Sequence, residues 1–369
     1  MKSKMIIIAA LAGSMTIPAF GQGVELPLTG STAFRSVVTN RVLSLYSTGS
    51  FTRKDGNTFS FIGTMPSVFP SSPTKQVRIH MSYTGSATGM QNVKDSTLIS
   101  SYALNDSGTG TVATNYAPDI AMSDVFPSSA TPPLSDSDFA KRDVVGVVPF
   151  VFVKNNTGTT LNGITGLTRE QAELLMTAGG SMPATYLGGS SANPVFLAGR
   201  DSGSGTRITT ERCIGFVGTP MLATNSGAYG FPGSVTVVGP ASGLAYGYNS
   251  GGTLATQIKT NDAVIGYLGL ADYSSTTNNN AAVALTYNGF AYSTANVISG
   301  KYPIWGYEHI VSRSGLSSDQ QTLRTAIVNA IADTTFQHSD ATYVGKFEAL
   351  SDMTVRRGSD GGPILSKSF

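Results

Sequence analysis

The 369-residue sequence has one cysteine, three histidines, one tryptophan and little charge, with only 12% of its residues Asp, Glu, Lys or Arg. A lone cysteine, Cys213, excludes an intramolecular disulfide framework and any multi-cysteine metal site. His80, His309 and His338 lie far apart and lack metal-ligand spacing, so neither a metal nor a cofactor is expected. Lys and Arg number 24 against 22 Asp and Glu, a formal charge of +2, and no basic field marks the chain for nucleic acid. The sequence contains no Gly-x-Ser-x-Gly elbow and no Gly-x-x-x-x-Gly-Lys loop. Hydrolases need a nucleophile with a base, or a metal cluster. The isolated histidines supply neither, and the chain does not read as an enzyme. No segment approaches about 18 uninterrupted apolar residues, so no transmembrane segment is expected in the mature chain.

The N-terminus does carry a signal. Lys2 and Lys4 precede an apolar run from Met5 to Leu11, with small residues at Ala19 and Gly21 before Gln22. A basic start, a short apolar stretch and small residues at −3 and −1 predict a cleavable secretory signal over residues 1–21. No cysteine stands there to be lipidated, so the expected location is periplasmic or extracellular. Cleavage removes Lys2 and Lys4 from the 24 basic residues, and the remaining 22 equal the 22 acidic ones.

Strand and helix patterns alternate along the rest, which predicts α/β architecture with largely parallel pairing. Phe34, Val37, Val38, Val42 and Leu45 share a helical face that Ser31 or Thr32 can cap. Val77, Ile79, Met81 and Tyr83 alternate as a strand, and Ile120-Ala121-Met122 forms a short one ending at Ser123-Asp124. Val144 to Val153 is a nearly continuous apolar strand, of the kind buried on both faces. Thr168 to Gln171 reads as a capping box, Pro194 to Ala198 and Ala263 to Tyr267 as strands, and Ser318 to Gln321 as a helix cap. The polar stretches Leu104 to Pro118 and Ser274 to Asn280 read as surface loops.

Three segments share one design, a Gly/Ser/Thr-rich turn after a strand and before a helix: Gly30 to Ala33, Gly85 to Gly89 and Gly203 to Thr206. Helix N-termini present unpaired N–H groups and partial positive charge, and small residues let an anion come close. Any one such turn also caps an ordinary helix. The third is sharper, because Arg200 stands four residues before Ser204 and a guanidinium can grip an oxyanion with two parallel bonds. Asp124 is informative beside an anion. Two like charges about 4 Å apart repel by about 4 kcal/mol at an effective dielectric near 20. A carboxylate there rejects a fully deprotonated anion and accepts a hydrogen bond from one that keeps a proton, as phosphate does and sulfate does not. Taken alone, Asp124 can equally start the next helix.

At these residues the sequence resembles the phosphate-binding proteins of bacterial ABC importers, within the type II periplasmic binding protein superfamily. Leu28 to Thr32 is similar to the family's first anion loop, Gly85 to Val93 to its second, and Ile120 to Asp124 to its Ser-Asp turn. Arg200 to Thr206 fits the Arg-x-x-Gly-Ser-Gly-Thr pattern, Ala263 to Tyr267 the Ala-Ile-Gly-Tyr strand, and Tyr302-Pro303-Ile304 the return strand. The resemblance implies two α/β lobes, each a mixed, mostly parallel sheet flanked by helices, with the ligand cleft between them. It divides the mature chain at 22–146, 147–300 and 301–369, the last segment returning to the first lobe. It implies phosphate contacts from Thr32, Ala33, Ser86 and Asp124 in one lobe and Arg200, Ser204, Gly205 and Thr206 in the other. Its partners would be inorganic phosphate and an ABC permease, with the binder a monomer. The family often has an acidic residue two positions after the Arg, where this chain has Ser202. Another tetrahedral oxyanion, a phosphatase-like activity and a cell-surface role on the same fold stand as alternatives. The turn Arg356 to Gly362 reads as a surface turn, and Trp305 as core of the return strand.

Overall fold

The computed structural model describes residues 23–47, 51–103, 112–178, 182–225, 235–238, 247–276 and 281–367. The expected export signal lies outside the described residues. The chain opens with β1 (Val24–Gly30), whose apolar residues are buried, and turns into α1 (Arg35–Leu45), which presents Val37, Val38 and Val42 inward. Phe34, not Ser31 or Thr32, is the residue flanking α1, although Ser31 Oγ still accepts from the Phe34 N–H at 3.3 Å. β2 (Phe51–Asp55), β3 (Thr58–Thr64) and β4 (Gln76–Ser82) then form an antiparallel meander, followed by α2 (Ser86–Asp95).

β5 (Ile99–Ala103) and β6 (Val112–Tyr116) pair as a hairpin. This corrects the expected loop from Leu104 to Pro118, of which 104–111 lies outside the described residues. The Ser/Thr/Asn composition hid a period of two: Thr114 and Tyr116 turn inward, Ala113 and Asn115 outward, and Tyr116 stacks on His80 at 4.0 Å. β7 (Ile120–Ser123) is wholly buried, and β8 (Lys141–Asn155) is buried from Val145 onward.

The chain continues through β9 (Gly166–Leu167), α3 (Arg169–Thr177), β10 (Met182–Pro183), β11 (Pro194–Ala198) and α4 (Gly205–Ile214). Thr168 and Gln171 make the reciprocal bonds of a capping box on α3. After the hairpin of β12 (Leu222–Asn225) and β13 (Val235–Val238) come α5 (Gly251–Thr260), β14 (Val264–Gly269) and α6 (Leu270–Thr276). Helix α6 takes the start of the segment expected to be a polar loop from Ser274, and 277–280 lies outside the described residues. The last elements are β15 (Ala282–Ala284), β16 (Thr286–Tyr287), α7 (Thr294–Ile298), β17 (Trp305–Ser312), α8 (Ser318–Ile331), α9 (Thr334–Ser339), β18 (Val355–Arg356) and β19 (Leu365–Ser366). The capping box of α8 begins at Ser317, one residue before the expected position, and uses Gln320.

One eleven-stranded mixed sheet runs β10-β11-β14-β8-β17-β7-β1-β4-β3-β2, with β15 beside β8. Pairing is parallel for β4-β1-β7 and β11-β14, and antiparallel wherever β8 or β17 takes part. From Lys141 to Pro149 β8 pairs with β17, and from Phe150 it pairs with β14. The sheet is therefore two halves, one centred on β1 and one on β14, connected through β8 and β17. Helices α1 and α8 pack together over the first half, and α5 and α6 over the second. Trp305, Tyr302, Phe150 and Phe152 fill the core along the connection. Ligands of open α/β sheets bind outside the carboxyl ends of the strands. Here the loops leaving β1, β4 and β7 meet those leaving β11 and β14.

Candidate anion-binding site

Backbone crowding at the ends of β1 and β4 demands glycine. Gly30 has φ +116° and Gly85 has φ +101°, and the Gly85 N–H donates to the Gly30 carbonyl at 2.9 Å. A Cβ on Gly89 would sit 2.5 Å from Gly30 Cα, so only glycine lets α2 approach the first loop this closely. The Ser31 N–H donates to the Met122 carbonyl at 2.8 Å, tying that loop to the end of β7. Helix α2 starts at Ser86 without a side-chain cap, and the Ala87 N–H donates across the halves to the Gly203 carbonyl at 3.0 Å.

Asp124 follows β7 directly. Its Oδ1 accepts a short hydrogen bond from Ser86 Oγ, and its N–H donates to the same oxygen at 3.3 Å. From the other half, Thr209 Oγ1 donates to the Asp124 carbonyl at 3.1 Å. Any Cβ at Gly205, the first residue of α4, would collide with Asp124 Oδ1 and stand 2.5 Å from Ser86 Oγ. The N-terminus of α4 thus lies directly against the Asp124–Ser86 pair. Ser204 caps α4 by accepting from the Arg207 N–H at 3.5 Å. Ala33 faces Gly269 at the end of β14, where a Cβ would come within 3.3 Å of the Ala33 methyl, so small residues are needed on both sides.

Arg200 is the cation of the site and is 1% exposed. Nε donates to the Tyr248 carbonyl at 2.9 Å, and Nη2 donates to the Asn249 carbonyl and to Thr32 Oγ1, each at 3.1 Å. Nη1 is buried with no hydrogen-bond partner among the described residues. Backbone carbonyls, rather than a carboxylate two residues on, therefore orient this guanidinium. Ser202 points to solvent, while the half-buried Asp201 is the largest charge pulling Arg200 towards its ionised form. Burial works against that ionised form, and Asp272 and Asp124 help to keep it.

All eight residues expected to contact a ligand, Thr32, Ala33, Ser86, Asp124, Arg200, Ser204, Gly205 and Thr206, are buried where the two halves meet. The sequence reading missed Tyr248 and Asn249, whose contribution is through main-chain oxygens. It also missed Arg35 and Asp272, which join α1 to α6 at 3.5 Å beside a polar groove of about 510 Å³ lined by Asn57, Asn249 and Thr253. Burial pushes the Asp124 carboxyl up to about 7, with Asp360 adding to the rise; its own backbone hydrogen bond and Arg200 oppose it. Among the described residues no group of three His, Cys, Asp or Glu side chains converges as a metal site. The Arg356 to Gly362 turn is a correction: Arg357 folds inward, 3.9 Å over the Trp305 ring, and Asp360 accepts from the Phe126 N–H at 2.8 Å. Trp305 itself is fully buried, as expected for the return strand.

The architecture is that of the two-lobed type II periplasmic binding proteins. No family model and no curated protein matches the sequence. Among solved structures, the fold is similar to one from Clostridium perfringens described as a phosphate ABC transporter substrate-binding protein with bound phosphate. The two are 15% identical at a TM-score of 0.54, over 87% of this chain and 99% of that one. It is similar also to an ABC-type phosphate transport receptor from Vibrio cholerae, 16% identical at a TM-score of 0.50 over 85% of this chain and 97% of that one. A phosphate-binding protein from Stenotrophomonas maltophilia is 15% identical at a TM-score of 0.50, over 90% of this chain and 91% of that one. At such identities the likeness establishes the fold. No helix among the described residues is long and apolar enough to cross a membrane.

Proposed function

We propose that this chain is an exported, monomeric binding protein that holds inorganic phosphate reversibly between its lobes and presents it to an ABC importer. In this reading the lobes are 22–146 with 301–369, and 147–300, and no chemical step occurs. One observation carries it: Arg200 Nη1 is buried with no hydrogen-bond partner among the described residues, while Nη2 of the same guanidinium reaches Thr32 in the other half. A buried guanidinium with a free N–H is costly unless an anion meets it. The N-termini of α2 and α4 add partial positive charge on either side. Thr32, Ala33, Ser86, Ser204, Gly205 and Thr206 supply hydroxyl and backbone donors, and Asp124 receives the proton of the anion. Phosphate binding by solved proteins of this fold adds to the case.

A second ligand follows from one observation. Because Asp124 titrates near 7, it carries a proton in acid and can then donate to a proton-free anion such as sulfate. Preference for phosphate over sulfate is therefore expected to grow as pH rises through about 7. Calorimetric titration with phosphate, arsenate and sulfate on both sides of that pH tests the proposal. Asp124→Asn should lose the pH dependence and favour sulfate more than the parent does. Tight sulfate binding that ignores pH would sink the phosphate assignment. Phosphatase turnover abolished by Ser204→Ala would instead return the chain to the enzymes.

A further inference from the structure

Glu308 lies in β17, the strand that connects the two halves of the sheet, and is 0% exposed. Neither of its carboxyl oxygens has a hydrogen-bond partner among the described residues. The register places it beside the anion site. His309 pairs with Ser123 and Ile310 with Met122, so the next step along the antiparallel ladder sets Glu308 against Asp124, at the point where β8, on the other side of β17, has Val145 as an extra residue. Gly306, on the same face of the strand, confirms the direction: a Cβ there would stand 2.5 Å from the Asp124 carbonyl oxygen. On its other side Glu308 is opposite Gly146 of β8, and a Cβ on Gly146 would be 2.6 Å from the Tyr343 hydroxyl.

The titratable groups around Glu308 are Asp124 just after β7, Tyr83 beyond β4 and Tyr343 from the C-terminal segment. His309, the next residue on β17, bonds Arg142 through Nδ1, so that cation is taken up by its neighbour. Burial drives the Glu308 carboxyl well above the usual range, and Asp124 pushes it further. Two carboxylates directly opposite on adjacent strands repel, and a buried pair does so strongly. A carboxyl with no donor, set against a second carboxyl, is stable only while it keeps its proton.

The geometry points to Glu308 as a specificity-determining residue of the anion site: as a neutral acid it holds the site to one negative charge and so permits a dianion to enter. This rests on the proposed anion-binding reading. Ionising Glu308 adds a second negative charge behind Asp124, and a doubly charged ligand is then expelled. Binding of phosphate therefore falls as pH rises and Glu308 loses its proton. Tyr83 and Tyr343, raised by burial, remain neutral there.

The experiment is phosphate affinity by calorimetry from about pH 7 to about pH 10 for the parent, Glu308→Gln and Glu308→Met, with circular dichroism as a check on folding. Both variants remove the charge at similar volume, and Met stands in should Gln fail to fold. The parent should weaken by at least about tenfold across this range, and the variants by less than about threefold. A merely structural Glu308 would shift affinity at every pH alike. A flat parental profile, or variants that fall in step with the parent, would overturn the inference while leaving the anion site standing. A parent that binds no phosphate, arsenate or sulfate at any pH would overturn the anion-binding reading, and this inference with it.

Discussion

Arg200 holds a full positive charge using two main-chain carbonyls and one hydroxyl, with no carboxylate hydrogen-bonded to it among the described residues. Asp201, Asp272 and Asp124 offset part of that charge from a distance, and in the proposed function a bound anion supplies the rest. Arg200→Lys keeps the charge but gives up the planar fork. It should raise the phosphate Kd by about 10- to 100-fold, corresponding to the roughly 1.5–3 kcal/mol of a charged hydrogen bond. Isothermal titration reads this directly, and a Lys variant as tight as the parent would remove Arg200 from the site. Arg200, Ser204 and Thr206 were legible because they are close together in sequence and of the right type. Tyr248 and Asn249 were not, because a carbonyl ligand leaves no side-chain signature. Glu308 did leave a trace: an acid in the buried strand Trp305 to Ser312, alternating with Gly306 and Ile310 on one face.

Among the elements, the start of α4 is the tightest point. Asp124 and Ser86 press on Gly205, and α2 reaches across to Gly203. Gly205→Ala has space for its methyl only if the halves stay apart. The variant should keep its far-ultraviolet circular dichroism, lose the thermal shift produced by phosphate, and scatter X-rays as a more extended particle. An unchanged shift would mean that the two halves do not close on this contact. Helix α3 was legible from its capping box at Thr168, and α1 from the apolar face of Val37, Val38 and Val42, although no side chain caps it. The β5–β6 hairpin was missed because its strands are polar and its regularity lies in alternation, which composition conceals. Largely parallel pairing was anticipated; in the large sheet it holds for β4-β1-β7 and β11-β14, while the remaining pairs are antiparallel. The antiparallel role of β8 and β17 was not, since a continuous apolar run does not encode the direction of its neighbours.

On the scale of the whole molecule, low surface charge coexists with several buried acids. Burial raises Asp124 and Glu348 to about 7 each, and raises Glu308 well above its usual range. A carboxyl raised on folding gives stability that is complete below its unfolded pKa and is lost as pH rises through the folded value. His309 works in the opposite sense, lowered to about 3 from 6.5, but its slope dies away as pH rises past 6.5 and the unfolded imidazole loses its proton too. The unliganded protein should therefore melt at progressively lower temperature from about pH 6.5 to about pH 8. Scanning calorimetry in that window checks the sign. A melting temperature that rises would show that these acids are hydrated in solution.

The handover in β8 has a mechanical consequence. Pro149, opposite Trp305, is the last residue paired with β17 before β8 turns to β14, and proline has no N–H to give to a ladder. Bending there severs no hydrogen bond donated by residue 149. With β17 lying alongside, the connection behaves as a flat leaf spring: compliant about one axis, stiff against twist and shear. If the proposed binding holds, capture and release of a ligand would bend the molecule at this one place, in opposite directions.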